Sequence, residues 1–413
     1  MNLQVSTRGR AMPASPIRKL MPLADEAKGR GVKVYHLNIG QPDIETPEAM
    51  RRRLALAPKV LAYSPSGGTS DFLAALQAYY ESLGLAVTAQ DLIATTGGSE
   101  ALQFAMLACS DPGGDVLLPE PFYTNYSSFA TMTGLRLVPL TTRGEDGFHL
   151  PAREAWEQAL TPKTRLVVLC NPNNPTGTVY TPAEVATVAG FCRDRGLFLV
   201  VDEVYRELVY DGRRPSSALA LGGFEDNVVV VDSLSKRYSA CGMRLGALVT
   251  RNREVHDACL RMAQGRLSAP GLAQMIAVGL QELGPEYTEG VVQEYEGRRN
   301  LLFEGLSSIP GLFLRKPEGA FYFVARLPVE DGEDFARFLL SDFQLNGATV
   351  MVAPAEGFYA TAGLGRNEVR IAYVLNQEDL RAAVRVLEAG LLDYRRARGL
   401  AGLVTEVVGP ARG

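Results

Sequence analysis

Residues 233–246 read SLSKRYSACGMRLG and begin two positions after the apolar run VVVV at 228–231. That run has the length and β-branched composition of a buried strand. Beyond it, Lys236 stands among hydroxyls, small residues and Arg244. Its amine has the chemistry to form an imine with an aldehyde cofactor, while Ser233, Ser235 and Arg244 can hold a phosphate. A lysine in this setting is also typical of a solvated loop, so the surrounding sequence must decide.

Short apolar runs alternate with helical stretches through the middle of the chain, which predicts a mostly parallel sheet with crossover helices. The further predicted strands span residues 92–95, 116–119, 135–140, 166–170, 197–201 and 245–250. Between two of them, TPAE at 181–184 has capping-box spacing with proline at the first helical position, and predicts a helix to about Arg195. The fold class is therefore α/β, with a seven-stranded sheet flanked by helices.

The pattern changes beyond about residue 290, where a second, smaller α+β domain is predicted. Helices are expected at 294–307 and 333–343, and strands at 320–325 and 369–374. The N-terminal 45 residues carry one helical stretch near 22–29 and are expected to pack on this domain. We therefore predict a large cofactor-binding domain at 46–293 and a small domain at 15–45 and 294–395. Terminal extensions cover 1–14 and 396–413, with a loosely held tail from Arg395.

Composition narrows the function classes. The chain has 413 residues and a net charge of −4, so a nucleic-acid footprint is not expected. The apolar runs are far shorter than the ~20 residues that a membrane-spanning helix needs. Five cysteines without a CxxC pair fit reduced thiols and a cytoplasmic location. The three histidines are dispersed, and no metal site is expected.

Ligands of open parallel sheets bind beyond the carboxyl ends of the strands, so the loops found there are informative. TGGSEAL at 96–102 opens a helix with two glycines and offers free backbone N–H groups to an anion. NPNNPTG at 171–177 is a proline-stiffened turn that would hold an asparagine amide rigidly. DEVY at 202–205 places a carboxylate at the end of a buried strand, where it can keep a heterocycle cationic. Each loop alone is also compatible with ordinary turn or cap chemistry.

Together, GGSEAL, NPNNPTG, DEVY and SLSKRYSACGMRLG, in this order, resemble the class I/II aminotransferases of the fold type I pyridoxal 5′-phosphate enzymes. The resemblance runs from about residue 15 to 392. LNIGQPD at 37–43 is similar to the substrate-side segment of that family, and VRIAY at 369–373 to its carboxylate-binding arginine strand.

The resemblance implies that pyridoxal 5′-phosphate forms an internal aldimine with Lys236, which then moves the proton at the substrate α-carbon. Asp202 would pair with the pyridinium nitrogen, and Tyr123 would stack on the ring. Tyr205 and Asn174 would bond the ring 3′-oxygen. The implied phosphate ligands are the backbone at Gly98 and Ser99, the Ser233 and Ser235 hydroxyls, and Arg244.

On the substrate side, the resemblance implies that Arg370 clamps the α-carboxylate, helped by Asn174 and the backbone at Ile39 and Gly40. Tyr63 matches a tyrosine that reaches the phosphate of the neighbouring subunit, so a homodimer is implied. Without the family context, Tyr63 and Tyr123 are typical of core aromatics.

The substrate side chain is left open by the sequence. Some aspartate-specific bacterial members carry a lysine where this chain has Ser99. Arg18, Lys19 and Arg266 are alternative cations or ordinary surface charges. Aspartate and aromatic or neutral amino acids are therefore the expected donors, with 2-oxoglutarate as acceptor.

Two other functions fit the same cofactor fold. One is a C–S lyase or another elimination enzyme, because a fold does not fix the chemistry. The other is an aminotransferase-like regulator, which needs a DNA-binding domain ahead of it. The ~14 residues before Ser15 are far fewer than the ~50 of a small domain.

Overall fold

The fold is given by a computed structural model that describes residues 3–400. Its strands are β1 (Lys33–His36), β2 (Leu92–Thr95), β3 (Asp115–Glu120), β4 (Arg136–Thr141), β5 (Thr164–Cys170), β6 (Phe198–Asp202), β7 (Val228–Ser233), β8 (Gly246–Thr250), β9 (Phe313–Leu314), β10 (Tyr322–Arg326), β11 (Ala348–Met351), β12 (Ala353–Pro354) and β13 (Glu368–Ala372). Its α-helices are α1 (Thr7–Ala11), α2 (Met21–Gly29), α3 (Glu48–Arg51), α4 (Ser70–Ser82), α5 (Gly98–Cys109), α6 (Asn125–Thr133), α7 (Arg153–Ala159), α8 (Pro182–Arg195), α9 (Leu234–Arg237), α10 (Arg253–Arg266), α11 (Gly271–Ala277), α12 (Pro285–Ser307), α13 (Gly332–Ser341) and α14 (Gln377–Ala397).

The large sheet has seven strands among the described residues, in the order β2-β8-β7-β6-β5-β3-β4. The pairs from β7 through β4 are parallel, and only the two pairings of β8 are antiparallel. Both faces are covered: Val229 and Val231 of β7 belong to one apolar cluster, and Val228 and Val230 belong to the other. Burial on both faces explains why these strands are continuous apolar runs in the sequence. The predicted α/β fold class is confirmed.

The predicted helix at 182–195 forms as α8. Thr181 Oγ1 accepts from the Glu184 backbone N–H at 3.2 Å, and the Glu184 carboxylate accepts from the Thr181 backbone N–H at 2.8 Å. Gly196 ends the helix at φ +64°, a conformation that favours glycine. The capping box therefore sets the start of this crossover helix.

The smaller part of the molecule joins the two chain ends. β1 pairs with β11 in parallel, and an antiparallel sheet has the order β12-β13-β10-β9. α12 starts at Pro285, nine residues before the predicted residue 294, because proline fits the first turn after Gly284. The predicted domain boundary between residues 293 and 294 falls inside this helix, and the domain limits stay predictions.

The predicted tail begins later than expected. α14 runs to Ala397, and Tyr394 is buried against Phe335 and Phe338 at ring distances of 5.2 and 5.4 Å. Arg398 pairs with Asp334 at 2.8 Å. The prediction of a loose tail from Arg395 was wrong for these residues, because their apolar and charged groups find partners on α13. Residues 401–413 lie outside the described part of the chain.

Within residues 3–400, we find no helix with the length and apolar content to cross a membrane.

Candidate active site

Lys236 lies where β7 passes into the short helix α9. Ser233 ends the strand and its Oγ accepts a hydrogen bond from the Ser235 backbone N–H at 3.2 Å, which turns the chain. Lys236 Nζ donates to the main-chain oxygen of Gly40 at 2.7 Å. Burial lowers the pKa of Lys236, the nearby Cys241 opposes this, and the charges of Arg370 and Arg244 lower it further. The buried, cationic environment therefore favours the neutral amine more than water does.

Gly40 is required for this approach. A Cβ at that position would lie 1.8 Å from the Tyr322 hydroxyl, so only a glycine lets the chain pass between Tyr322 and the lysine. Tyr322 Oη in turn lies 2.8 Å from Tyr205 Oη. The segment around Ile39 and Gly40 is thus packed directly onto the lysine and the tyrosine pair.

A set of anion-binding groups surrounds the start of α5. Gly97 has φ +75°, and a Cβ there would lie 2.7 Å from Arg244 Nη2, so the guanidinium rests against the glycine turn. α5 begins at Gly98 and presents its free N–H groups here. Ser233 Oγ and Ser235 Oγ are 2.9 Å apart. Backbone donors, hydroxyls and an arginine form the donor set that suits a phosphate.

Asp202 ends β6 beside this loop and is 4% exposed. Its carboxylate accepts hydrogen bonds from Tyr126 Oη at 2.9 Å and from the Val204 backbone N–H at 3.3 Å. Burial raises the pKa of Asp202 to about 6, despite these two hydrogen bonds. No arginine, lysine or histidine of residues 3–400 forms an ion pair with it. A cationic ring nitrogen would complete this environment.

Arg370 lies on β13 and is 1% exposed. Its Nη1 donates to Asn174 Oδ1 at 3.1 Å, and its Nη2 donates to the Asn38 main-chain oxygen at 2.6 Å. Its Nε is buried and has no hydrogen-bond partner among the described residues. A buried guanidinium without a carboxylate partner is suited to bind a carboxylate ligand.

Tyr123 and Tyr205 complete the aromatic wall. The Tyr123 ring lies 5.7 Å from the Tyr126 ring in an edge-on arrangement, and its Oη accepts from Asn125 at 2.8 Å. Tyr205 is 3% exposed and lies edge-on to Tyr322 at 5.7 Å. Burial raises the pKa of both tyrosines, which favours their neutral, protonated hydroxyls.

Three residues of this site were not predicted from the sequence. Asn38 is buried and holds Ile17 through a 3.1 Å hydrogen bond while its oxygen meets Arg370. Tyr126 bonds Asp202, and Tyr322 lies under Arg370 with 4.5 Å between guanidinium carbon and ring centre. Tyr126 follows Tyr123 by three positions, but Tyr123 precedes α6, so this spacing gave no helical-face signal.

Other predicted residues are not gathered here. Tyr63 is 81% exposed, on the segment between residue 56 and α4. Ser99, by contrast, does belong to the set around the start of α5: it lies on the first turn of that helix, and its main-chain oxygen accepts from Gln103. Lys19 pairs with Glu333, and Arg266 lies 3.5 Å from Glu100. Arg18 is exposed. Of the three candidate cations, two are engaged elsewhere.

Comparison with known proteins gives the family. The family model "Aminotransferase class I and II" matches residues 32–387. The chain is 30% identical to the aspartate/prephenate aminotransferase of Thermus thermophilus, over 92% of this chain and 97% of that protein. It is also 30% identical to aromatic-amino-acid aminotransferase 2 of Thermococcus litoralis, over 95% of this chain and 100% of that protein.

Solved structures of aminotransferases are similar to this chain over nearly its whole length. The aspartate aminotransferase of Thermus thermophilus with maleate superposes with a TM-score of 0.85 at 30% identity, over 94% of this chain and 100% of that one. The alanine aminotransferase of Pyrococcus furiosus gives a TM-score of 0.85 at 28% identity, over 94% and 100%. The chain therefore belongs to the class I and II aminotransferases and is a pyridoxal 5′-phosphate-dependent transferase of the aspartate aminotransferase type.

Proposed function

We propose that this enzyme moves an amino group from an L-amino acid to a 2-oxo acid, with Lys236 as the catalytic base. One observation carries the proposal: the Lys236 amine shares a buried site with the Arg370 guanidinium, whose Nε has no hydrogen-bond partner among the described residues. The lysine is bonded to Gly40, two residues from Asn38, whose oxygen accepts from Arg370. An amine base and a carboxylate receptor on one short segment suit an α-amino acid.

The cofactor contacts are proposed as follows. The groups around the start of α5 hold the phosphate, and Asp202 holds the ring nitrogen in its protonated state. Asn174 and Tyr205 donate to the ring 3′-oxygen, and Tyr123 covers the ring face. The phosphate ligands are the backbone of Gly98 and Ser99, the hydroxyls of Ser233 and Ser235, and Arg244. When bound, pyridoxal 5′-phosphate supplies an aldehyde carbon and a cationic ring that accepts electrons from the substrate α-carbon.

Lys236 handles the proton in this proposal. A general base must be unprotonated at working pH, and burial with two nearby arginines lowers its pKa in that direction. Its Nζ takes the proton from the α-carbon and returns it one step later. Gly40 O orients the amine through the 2.7 Å hydrogen bond.

Arg370 orients the substrate. Its Nε and one of its Nη groups donate two parallel hydrogen bonds to the α-carboxylate. Asn174 and the backbone at Ile39 and Gly40 lie beside the carboxylate. Tyr322 lies against the guanidinium and limits its rotation. The carboxylate end is thereby fixed while the side chain stays free to vary.

Donors are proposed to be aspartate or an aromatic or neutral amino acid, with 2-oxoglutarate as acceptor. The similar proteins are named for aspartate, aromatic amino acids and alanine, which supports this range. Lys19 and Arg266 are paired with acids, so Arg18 is the cation among the three that is free to meet an acidic side chain.

We also propose a homodimer in which Tyr63 completes the partner's site. Tyr63 is exposed beside four exposed aliphatic residues, Leu54, Leu56, Val60 and Leu61. Such a patch is typical of a surface covered by another subunit. A cytoplasmic location is proposed from the five unpaired thiols.

The test is a panel of amino acids mixed singly with the loaded enzyme, without acceptor. Transamination converts the bound cofactor to its amine form, which changes its absorbance spectrum. One molecule of the matching 2-oxo acid is released per site. Lys236→Ala should lose borohydride-stable labelling at peptide 233–246 and lower kcat by about a thousandfold. Repeated release of ammonia and pyruvate without acceptor would instead show an elimination enzyme.

A further inference from the structure

A cavity of about 760 Å³ is separate from the site described above, because neither Lys236 nor Arg370 is among the residues that line it. It lies between α4, the segment after β6 and the start of α12. Its wall includes Tyr79, Ser82, Glu207, Tyr238, Leu283 and Val292. The volume is within the range of about 300–1,000 Å³ that small-molecule sites occupy.

Glu207 is the buried charged group of this wall and is 7% exposed. The Tyr79 hydroxyl donates to its Oε1. Among residues 3–400, Oε2 receives no hydrogen bond. Because Glu207 lines the cavity, a ligand donor can reach Oε2 from there.

Tyr79 has no further donor to offer. Its hydroxyl accepts from Arg206 Nη1 and from Arg237 Nη1, each at 3.0 Å, and its one proton goes to Glu207. Arg206 is paired with Glu203 at 2.7 Å, and both arginines are paired with Asp232. The Nη groups of both arginines are therefore engaged with Tyr79 and Asp232, and no hydrogen bond of the described residues joins either arginine to Glu207 Oε2.

The buried network has an excess of acid. Glu203, Asp232 and Glu207 are three carboxylates, while Arg206 and Arg237 are two guanidiniums, which leaves one negative charge. At the mouth of the cavity, Arg213 is paired with Glu318, and Glu289 has no ion pair within the described residues. The charge balance of the wall favours a cation.

We propose that this Glu207 cavity binds an organic cation with an apolar body, whose N–H donates to Glu207. The Tyr238 ring stacks on Tyr287 at 6.0 Å, and Leu283 and Val292 supply apolar surface. Carboxylate, aromatic and aliphatic groups in one pocket are the chemistry that recognises an alkylated ammonium ion.

The site also adjoins the cofactor turn. Arg237 follows Lys236 in sequence, and Asp232 accepts from the Ser233 backbone N–H at 2.7 Å. The network that ends at Glu207 therefore holds both sides of the turn that carries Lys236.

The test is calorimetric titration of the cofactor-loaded enzyme with N,N-dimethylbenzylamine. This tertiary amine is cationic at neutral pH, keeps one N–H, and cannot form an imine with the cofactor. Saturable binding is expected, and the neutral N,N-dimethylbenzamide should bind at least about tenfold more weakly because it lacks the charge-assisted hydrogen bond.

Glu207→Gln should weaken binding of the amine by about tenfold or more, while Glu289→Gln at the mouth should change it by about twofold at most. Ser82→Phe fills the cavity from outside the network and should also weaken binding, while Ser82→Ala should not. This second pair keeps the test valid if Glu207→Gln fails to fold. Absence of saturable binding by the wild type, or wild-type affinity in both Glu207→Gln and Ser82→Phe, would overturn the proposal.

Discussion

Asp202 is the last residue of β6 and Asp232 the last but one of the neighbouring strand β7, and both are buried, yet their acidities differ. Burial raises the pKa of Asp202 to about 6. Burial acts on Asp232 in the same direction, but Arg237 and Arg206 outweigh it and lower the pKa of Asp232 to about 2. Asp202 has a phenol and a backbone N–H as donors, whereas Asp232 has in addition two guanidinium groups within 3.5 Å.

The difference separates a binding group from a structural one. Asp232 is satisfied by the protein itself, so its role is to fix the turn before Lys236. Among residues 3–400, Asp202 has no cationic partner, which is why we propose that it faces the cofactor ring nitrogen.

The largest effect is expected for Asp202→Asn in the loaded enzyme. Two opposite charges about 4 Å apart interact by about 4 kcal/mol at an effective dielectric constant of about 20, which corresponds to about a thousandfold in rate. We expect kcat for amino transfer to fall by about that factor, measured with the best donor of the panel. Asp202→Glu keeps the charge and should retain more activity. A kcat near the wild-type value in Asp202→Asn would remove the distinction between the two acids.

Asp232→Asn should lower the stability of the folded protein. Removing one partner of a buried ion pair leaves uncompensated charge and costs about 3 kcal/mol or more. We expect the free energy of unfolding of the cofactor-free protein to fall by about 3 kcal/mol in urea titrations. Asp202→Asn is the matched control and should not be destabilised at neutral pH. Equal losses in the two variants would contradict the comparison.

The sequence could predict the positions of these two acids but not their difference. Both follow continuous apolar runs, and such runs locate strands buried on both faces; the strand ends were found within two residues. Arg206 and Arg237 look like ordinary surface charges in the sequence. Their burial around Asp232 depends on Tyr79 and Tyr80 of α4, which are distant in the chain. For the same reason Asn38, Tyr126 and Tyr322 were missed, since each reaches the site through tertiary packing and belongs to no local pattern.

Stability against pH should show the raised pKa directly. Folded Asp202 holds its proton more tightly than the unfolded chain, so its contribution is full below pH 3.8 and is lost as pH rises through about 6. A shift from 3.8 to about 6 corresponds to at most about 3 kcal/mol. In cofactor-free protein, the unfolding free energy of the wild type minus that of Asp202→Asn should fall across this range. A difference that is constant with pH would mean that the pKa of Asp202 is not raised in the folded protein.

Arg370→Lys should have a smaller effect, because it keeps the charge and loses the planar fork. One charge-assisted hydrogen bond is worth about 2 kcal/mol, or about thirtyfold in kcat/KM. We expect the loss mainly as a higher KM for the amino donor, measured by steady-state kinetics. An unchanged KM would mean that another cation binds the α-carboxylate. The Nε of Arg370 would then not be a substrate-binding group.

Tyr126→Phe gives the smallest expected change and tests how Asp202 is tuned. The Tyr126 hydroxyl donates to the carboxylate at 2.9 Å and opposes the effect of burial on the pKa of Asp202. Removing one hydrogen bond of about 1 kcal/mol should move the pH-dependent step of the cofactor-free protein upward by somewhat less than one pH unit. The loaded enzyme should lose less than about tenfold in kcat, because the charge of Asp202 is kept. Tyr80→Phe is the parallel change at Asp232, and there the two arginines should keep the carboxylate ionised and the pH profile unmoved. If both phenylalanine variants shifted their profiles equally, hydrogen bonding rather than the paired cations would set the acidity of both aspartates.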